Sequence, residues 1–135
     1  MTKLLIARPA PPEVHEALEG FDVTYREDSA PLSEDEMQDA LRDYDGVLAT
    51  LGDRFTADVF GKVGMPRCKM LANFGVGYNH IDVDAAKAAG LQVSNTPGAV
   101  TDATADIAMT LMLMDARRAG EGERLVRSGQ WSGWE

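Results

Sequence analysis

The stretch Asn73-Phe-Gly-Val-Gly-Tyr-Asn-His-Ile-Asp82 places Gly75 and Gly77 directly after KMLANF, an apolar run that reads as a buried strand. Glycines at the carboxyl end of a strand let the backbone turn with its amides outward, and such a nest can hold a small anion. A carboxylate resting on the N–H groups of Val76 and Gly77 is one reading of this spacing; a plain tight turn is the other. A dinucleotide loop fits less well. The G-x-G-x-x-G pattern needs a third glycine where this chain has His80, and it follows the first strand of its unit, whereas Gly75 follows the fourth expected strand. No G-x-x-x-x-G-K-[ST] phosphate loop occurs in the chain.

The other side chains with chemical potential are few. His15 lies beside the first expected helix and His80 in the loop after the glycines, and both read as surface or loop residues. Cys68 is the only cysteine, which excludes an internal disulfide and a Cys-based zinc site, and it reads as a small packed residue compatible with a reducing cytosol. No metal site is expected in this chain.

Alternating elements must position the loop. Apolar or alternating runs at residues 3–7, 21–25, 46–50, 69–74 and 91–94 read as strands. Between them, helices are expected at residues 13–18, 34–42, near 57–63, and at 83–89. Ser33 and Glu36 form a capping box for the second helix, with Met37, Ala40 and Leu41 on its inner face. Thr56 and Asp82 are expected to cap the next two, and Gly90 to end the last. This β-α alternation predicts a flavodoxin-like α/β fold, a five-stranded parallel sheet with helices on both faces. A long helix over residues 101–127 follows, capped by Thr101 with Asp102 and Asp106 in its first turns, and its first half is apolar almost all round.

With 135 residues, 44% of them hydrophobic, the chain can bury one sizeable core. Its net charge of -9, with 22 acidic and 13 basic side chains, and the absence of a basic cluster argue against nucleic acid as a partner. The acidic run over residues 33–45 reads as the solvated face of a helix. The apolar segment at residues 107–114 is far too short to span a bilayer, so no membrane partner is expected. The start MTKLLIARPAPPE lacks the features of a signal peptide, and a cytoplasmic location is expected.

The words NFGVGYNHIDVDAAKAAGLQVSNTPGAVTDATADIAMTLML resemble the D-isomer-specific 2-hydroxyacid dehydrogenases, in particular their glyoxylate and hydroxypyruvate reductase branch. The likeness runs from Leu71 to about Trp131. It implies hydride transfer between NAD or NADP, as NAD(P)H, and the carbonyl carbon of a small 2-oxo acid, yielding a D-2-hydroxy acid. It assigns the substrate carboxylate to the amides of Val76 and Gly77, a pocket-lining role to Leu51 and Gly52, and an approach to the cofactor to Thr104. Asn95, Thr96 and Pro97 are expected to be structural.

The resemblance also divides the chain. Residues 1–100 correspond to the substrate domain without its returning C-terminal helix, and residues 101–135 to the interdomain helix and the start of the link to an NAD(P)-binding Rossmann domain. The family's catalytic Arg, Glu and His and its nucleotide fingerprint lie beyond these motifs, so the chain alone is expected to be inactive. Its apolar long helix suggests a homo-oligomer. Two alternatives are a stand-alone binding or regulatory domain of the same fold and a receiver-like signalling domain. A receiver needs acids after its first and third strands and a Lys after its fifth. Here those points read Arg8-Pro9, Thr50-Leu51 and Asn95-Thr96.

Overall fold

The computed structural model describes residues 1–134, and the chain divides into two compact units, Met1–Pro97 and the segment from Gly98 on. In the first unit, strands β1 (Lys3–Ile6), β2 (Asp22–Tyr25), β3 (Gly46–Ala49), β4 (Met70–Asn73) and β5 (Gln92–Ser94) alternate with helices α1 (Pro12–Ala17), α2 (Glu34–Asp43), α3 (Ala57–Val63) and α4 (Val83–Ala88). The strands form one parallel sheet in the order β2-β1-β3-β4-β5. This is the expected flavodoxin-like arrangement, whose strand order reverses between β1 and β3.

The two sheet faces differ in cover. Leu5, Val47, Leu71 and Ala49 point to the face occupied by α2, α3 and α4, where they join Met37, Leu41, Val59, Phe60 and Ala86 in a closed core. Leu71 is fully buried at the centre of the sheet, and truncating such a leucine to alanine costs about 2–5 kcal/mol. On the opposite face, Leu4, Ile6, Leu48 and Ala72 floor a trough of about 490 Å³ walled by Val14 and Ala17 of α1.

Local chemistry explains the helix starts. Ser33 accepts from the N–H of Glu36 while Glu36 returns the bond to the N–H of Ser33, which completes the expected capping box. Asp82 Oδ1 accepts from Ala85 N at 2.9 Å and opens α4; Gly90, at φ +84°, closes it. Thr56 does precede α3, yet its side chain makes no capping bond. Cys68 is wholly buried and donates to Met70 O; burial pushes its thiol up to about 11.

The second unit departs from the expected single long helix. It holds α5 (Thr101–Ala116) and α6 (Ala119–Arg127), separated at Arg118, which takes a left-handed φ of 48°. The chain turns there because Arg117 and Arg118 donate back to Leu113 O and Asp115 O, and the Arg118 guanidinium pairs with Glu121 in the first turn of α6. Thr101 is the first helical residue and not the cap; the cap position is Val100, without a side-chain bond. No residue of α5 is buried. Ile107, Leu111, Met112 and Leu113 are each at least 60% exposed.

Candidate functional site

The carboxyl edge of β3 and β4 gathers four of the five expected site residues. The segment after β3 and the segment after β4 are clamped together by a parallel bridge between Phe55 and Ile81, both buried, and by Asp82 N donating to Phe55 O at 2.8 Å. Leu51 and Gly52 lie on the first segment, Val76 and Gly77 on the second. The Leu51 side chain reaches within 3.7 Å of the point where a Cβ on Gly75 would stand.

The Gly75-Val76-Gly77 backbone is held by its carbonyls. Gly75 O accepts from Asn73 Nδ2 at 3.0 Å and from Thr96 N at 3.1 Å. Val76 O accepts from Asn95 Nδ2 at 2.9 Å, and Gly77 O accepts from Asn73 Nδ2 at 2.9 Å. Among the described residues, no group accepts from the N–H of Val76 or Gly77. All three acceptors are thus engaged by the protein, while the N–H groups of Val76 and Gly77, and of Tyr78, Asn79 and His80 after them, find no acceptor among the described residues, a run of free donors of the kind an anion nest uses.

The glycines themselves sharpen the point. Neither Gly75 nor Gly77 has a positive φ, so the turn does not demand glycine for conformational reasons. A Cβ on Gly77 would meet only Asn79 Oδ1, at an ordinary 3.7 Å. A methyl group at Gly77 would therefore be accommodated without a clash. Gly52 is different. A Cβ there would lie 2.7 Å from Arg8 Nη2 and 2.8 Å from Pro31 Cγ, so glycine at position 52 is required by its own neighbours.

That crowding belongs to a buried ionic hub. Asp53 is wholly buried and accepts from Arg8 Nη2, from the N–H of Leu32 and from the N–H of Thr50, at 2.8–2.9 Å. It fixes the turn that presents Leu51. Arg8 Nε is buried without a partner among the described residues. Sequence reasoning missed both residues, although an acid and an arginine at the carboxyl ends of β3 and β1 were visible.

His80 is also more than a loop residue. It is half-buried, and its Nε2 lies 3.0 Å from Asn73 Oδ1. Burial pushes its pKa below the usual histidine value, while the charge of Asp53 acts in the opposite direction. Asn73, 2% exposed, was not singled out in the sequence, yet it touches both glycine carbonyls. Asn95 and Thr96 also do more than lead into the next segment, since each pins one carbonyl of the loop. Thr104 belongs to the second unit, in the first turn of α5, with its N–H bonded to Val100 O at 2.9 Å. His15 is exposed and stacks on Tyr25.

The arrangement does not suit a dinucleotide. A pyrophosphate is held by a glycine turn that runs straight into a free helix N-terminus. Here the next helix, α4, begins with the Asp82 carboxylate already on its first-turn amide. Among the described residues, no group of three or more His, Cys, Asp or Glu is placed to hold a metal ion, and no helix is long and apolar enough to cross a membrane.

A five-stranded all-parallel sheet with helices on both faces defines a doubly wound α/β domain. Residues 4–130 match the D-isomer specific 2-hydroxyacid dehydrogenase catalytic domain, and the chain belongs to that family. It is 40% identical over 134 residues to the glycerate dehydrogenase of Hyphomicrobium methylovorum, covering 98% of this chain and 41% of that protein. It is also 40% identical over 130 residues to the glyoxylate reductase of Thermococcus onnurineus, covering 96% of this chain and 38% of that one. Among solved structures, a Thermus thermophilus protein superposes with a TM-score of 0.86 at 32% identity, over 99% of this chain and 43% of that one. D-lactate dehydrogenase from Aquifex aeolicus, in complex with NAD and lactic acid, gives 0.74 at 25% identity, over 99% of this chain and 39% of that one. The chain therefore spans about two-fifths of the length of these relatives.

Proposed function

We propose that this chain supplies the substrate side of an NAD(P)-dependent oxidoreductase acting on small 2-oxo and D-2-hydroxy acids of the glyoxylate or hydroxypyruvate type. The observation that carries the reading is the pair of unpartnered N–H groups at Val76 and Gly77, set on a loop whose carbonyls are all engaged. Two amides aimed at one carboxylate make charge-assisted hydrogen bonds, each worth about 1.5–3 kcal/mol when water is excluded. Leu51, exposed beside Gly75, supplies an apolar wall against the remainder of a small acid, and Gly52 after it fits closely against Arg8 and Pro31.

In this reading residues 1–100 are the substrate domain and residues 101–135 the interdomain helix with the start of the link to a nucleotide domain. The nicotinamide cofactor, when bound, supplies or receives the hydride. Within residues 1–134 nothing fits its pyrophosphate, and Thr104 is the one residue offered to it, so no step is routed through it here. The chain's own contribution is to fix the acid by its carboxylate and so orient the neighbouring carbonyl carbon.

The test is an amide-resolved titration of the chain with oxamate, an unreactive 2-oxo acid analogue. Saturable shifts centred on the Val76 and Gly77 amides support the reading, and shifts spread elsewhere or absent overturn it. A parallel assay should find no glyoxylate-dependent oxidation of NADH or NADPH by the 135-residue chain.

A further inference from the structure

The Asn73 side chain is saturated in a way that fixes its orientation. Its Nδ2 lies between two carbonyl oxygens, Gly75 O at 3.0 Å and Gly77 O at 2.9 Å, so both amide hydrogens are committed. Reversing the amide would set Oδ1 against two acceptors. Oδ1 must therefore face His80, and because an amide oxygen only accepts, His80 Nε2 must carry the hydrogen that spans the 3.0 Å between them. The tautomer of His80 follows from the loop geometry.

We propose that His80 and Asn73 are positioning residues for the carboxylate loop. His80 holds the Asn73 amide plane, and Asn73 draws the carbonyl of Gly75 inward, which turns the N–H of Val76, on the same planar trans peptide, outward; the N–H of Gly77 shares its peptide with Val76 O, which Asn95 Nδ2 holds. The inference deepens the proposed function and rests on its carboxylate reading. It gives a role to the buried polar Asn73, which would otherwise be a costly residue at the end of a central strand. It also explains how a loop without positive-φ glycines keeps two adjacent donors unpaired. The bond survives protonation of the imidazole, since Nε2 carries a hydrogen in both forms, so the device is a brace and not a switch.

His80→Phe and His80→Gln separate the donor from the bulk of the ring, and His80 is only half-buried, so both variants should fold. In His80→Phe, oxamate should bind the Val76 and Gly77 amides roughly two- to tenfold more weakly, the loss of one hydrogen bond. His80→Gln, whose amide can donate to Asn73 Oδ1, should recover most of that loss. The Asn73 side-chain NH₂ resonances should be protected from exchange in the wild type, lose that protection in His80→Phe and regain it in His80→Gln. Wild-type oxamate affinity in His80→Phe overturns the inference, and so does unprotected Asn73 NH₂ in the wild type. If oxamate leaves Val76 and Gly77 untouched in the wild type while Asn73 stays protected, the carboxylate reading fails and the brace stands by itself.

Discussion

Arg8 Nη2 donates to Asp53 Oδ1 across 2.9 Å, joining the carboxyl end of β1 to the turn beyond β3 through a carboxylate with no solvent exposure. Asp53 also accepts from Leu32 and Thr50 amides, so removing it strands three donors at once. Asp53→Ala should destabilise the first unit by about 3–5 kcal/mol, the cost of leaving a buried partner uncompensated. Urea unfolding of the chain measures it. A loss below about 1 kcal/mol would mean that water replaces the carboxylate without difficulty.

Two glycines in neighbouring loops should respond oppositely to a methyl group. Gly52→Ala forces a Cβ against Arg8 and Pro31 and should cost about 1–3 kcal/mol of stability. Gly77→Ala meets only an ordinary contact with Asn79 Oδ1 and should change stability by no more than about 0.5 kcal/mol while weakening oxamate binding. Thermal melts paired with the titration distinguish them; a Gly77→Ala chain that melts early but binds normally contradicts the assignment.

Acid should act at Asp45. Arg67 donates to both of its oxygens at 2.8 Å and the Lys3 N–H to Oδ2 at 2.7 Å. The Arg67 bond, then the Lys3 amide, lowers the carboxyl from 3.8 to about 2. Because the folded value lies below the unfolded one, this contribution is complete above pH 3.8 and is lost as pH falls through about 2. A carboxyl-carbon NMR titration should place the Asp45 midpoint near 2 and move it toward 3.8 in Arg67→Met. An Asp45 that already titrates at 3.8 in the wild type shows that the pair does not form in solution.

The bare apolar surface of α5 should make the chain associate with itself. Sedimentation over a concentration series should reveal species heavier than a monomer, and Leu111→Glu combined with Met112→Glu should diminish them. A strict monomer at millimolar concentration contradicts this.

Most of the fold could be read from the order of residues, because its signals are local. Apolar runs such as Leu4-Leu5-Ile6 and Val47-Leu48-Ala49 have few fates other than buried strands, and Ser33 with Glu36 is a self-contained start signal. The helix break was hidden because Arg118 is not a residue that favours a left-handed φ, and the glycines at 120 and 122 lie past the turn. At the site, the motif identified the loop but not what holds it. Asn73 looks like the polar end of a strand, and only the fold brings His80 back onto it. The Arg8 and Asp53 pair is separated by 45 residues and becomes visible only when β1 and β3 lie side by side.

The sealed thiol of Cys68 gives the molecule a practical property. Thiolate, not thiol, attacks electrophiles, and a group pushed up to about 11 and wholly buried offers almost none at neutral pH. To a maleimide the native chain should behave as though it had no cysteine. A Leu51→Cys chain would then accept a single fluorophore at an exposed position beside the glycine loop, and its emission could report a carboxylate arriving next door.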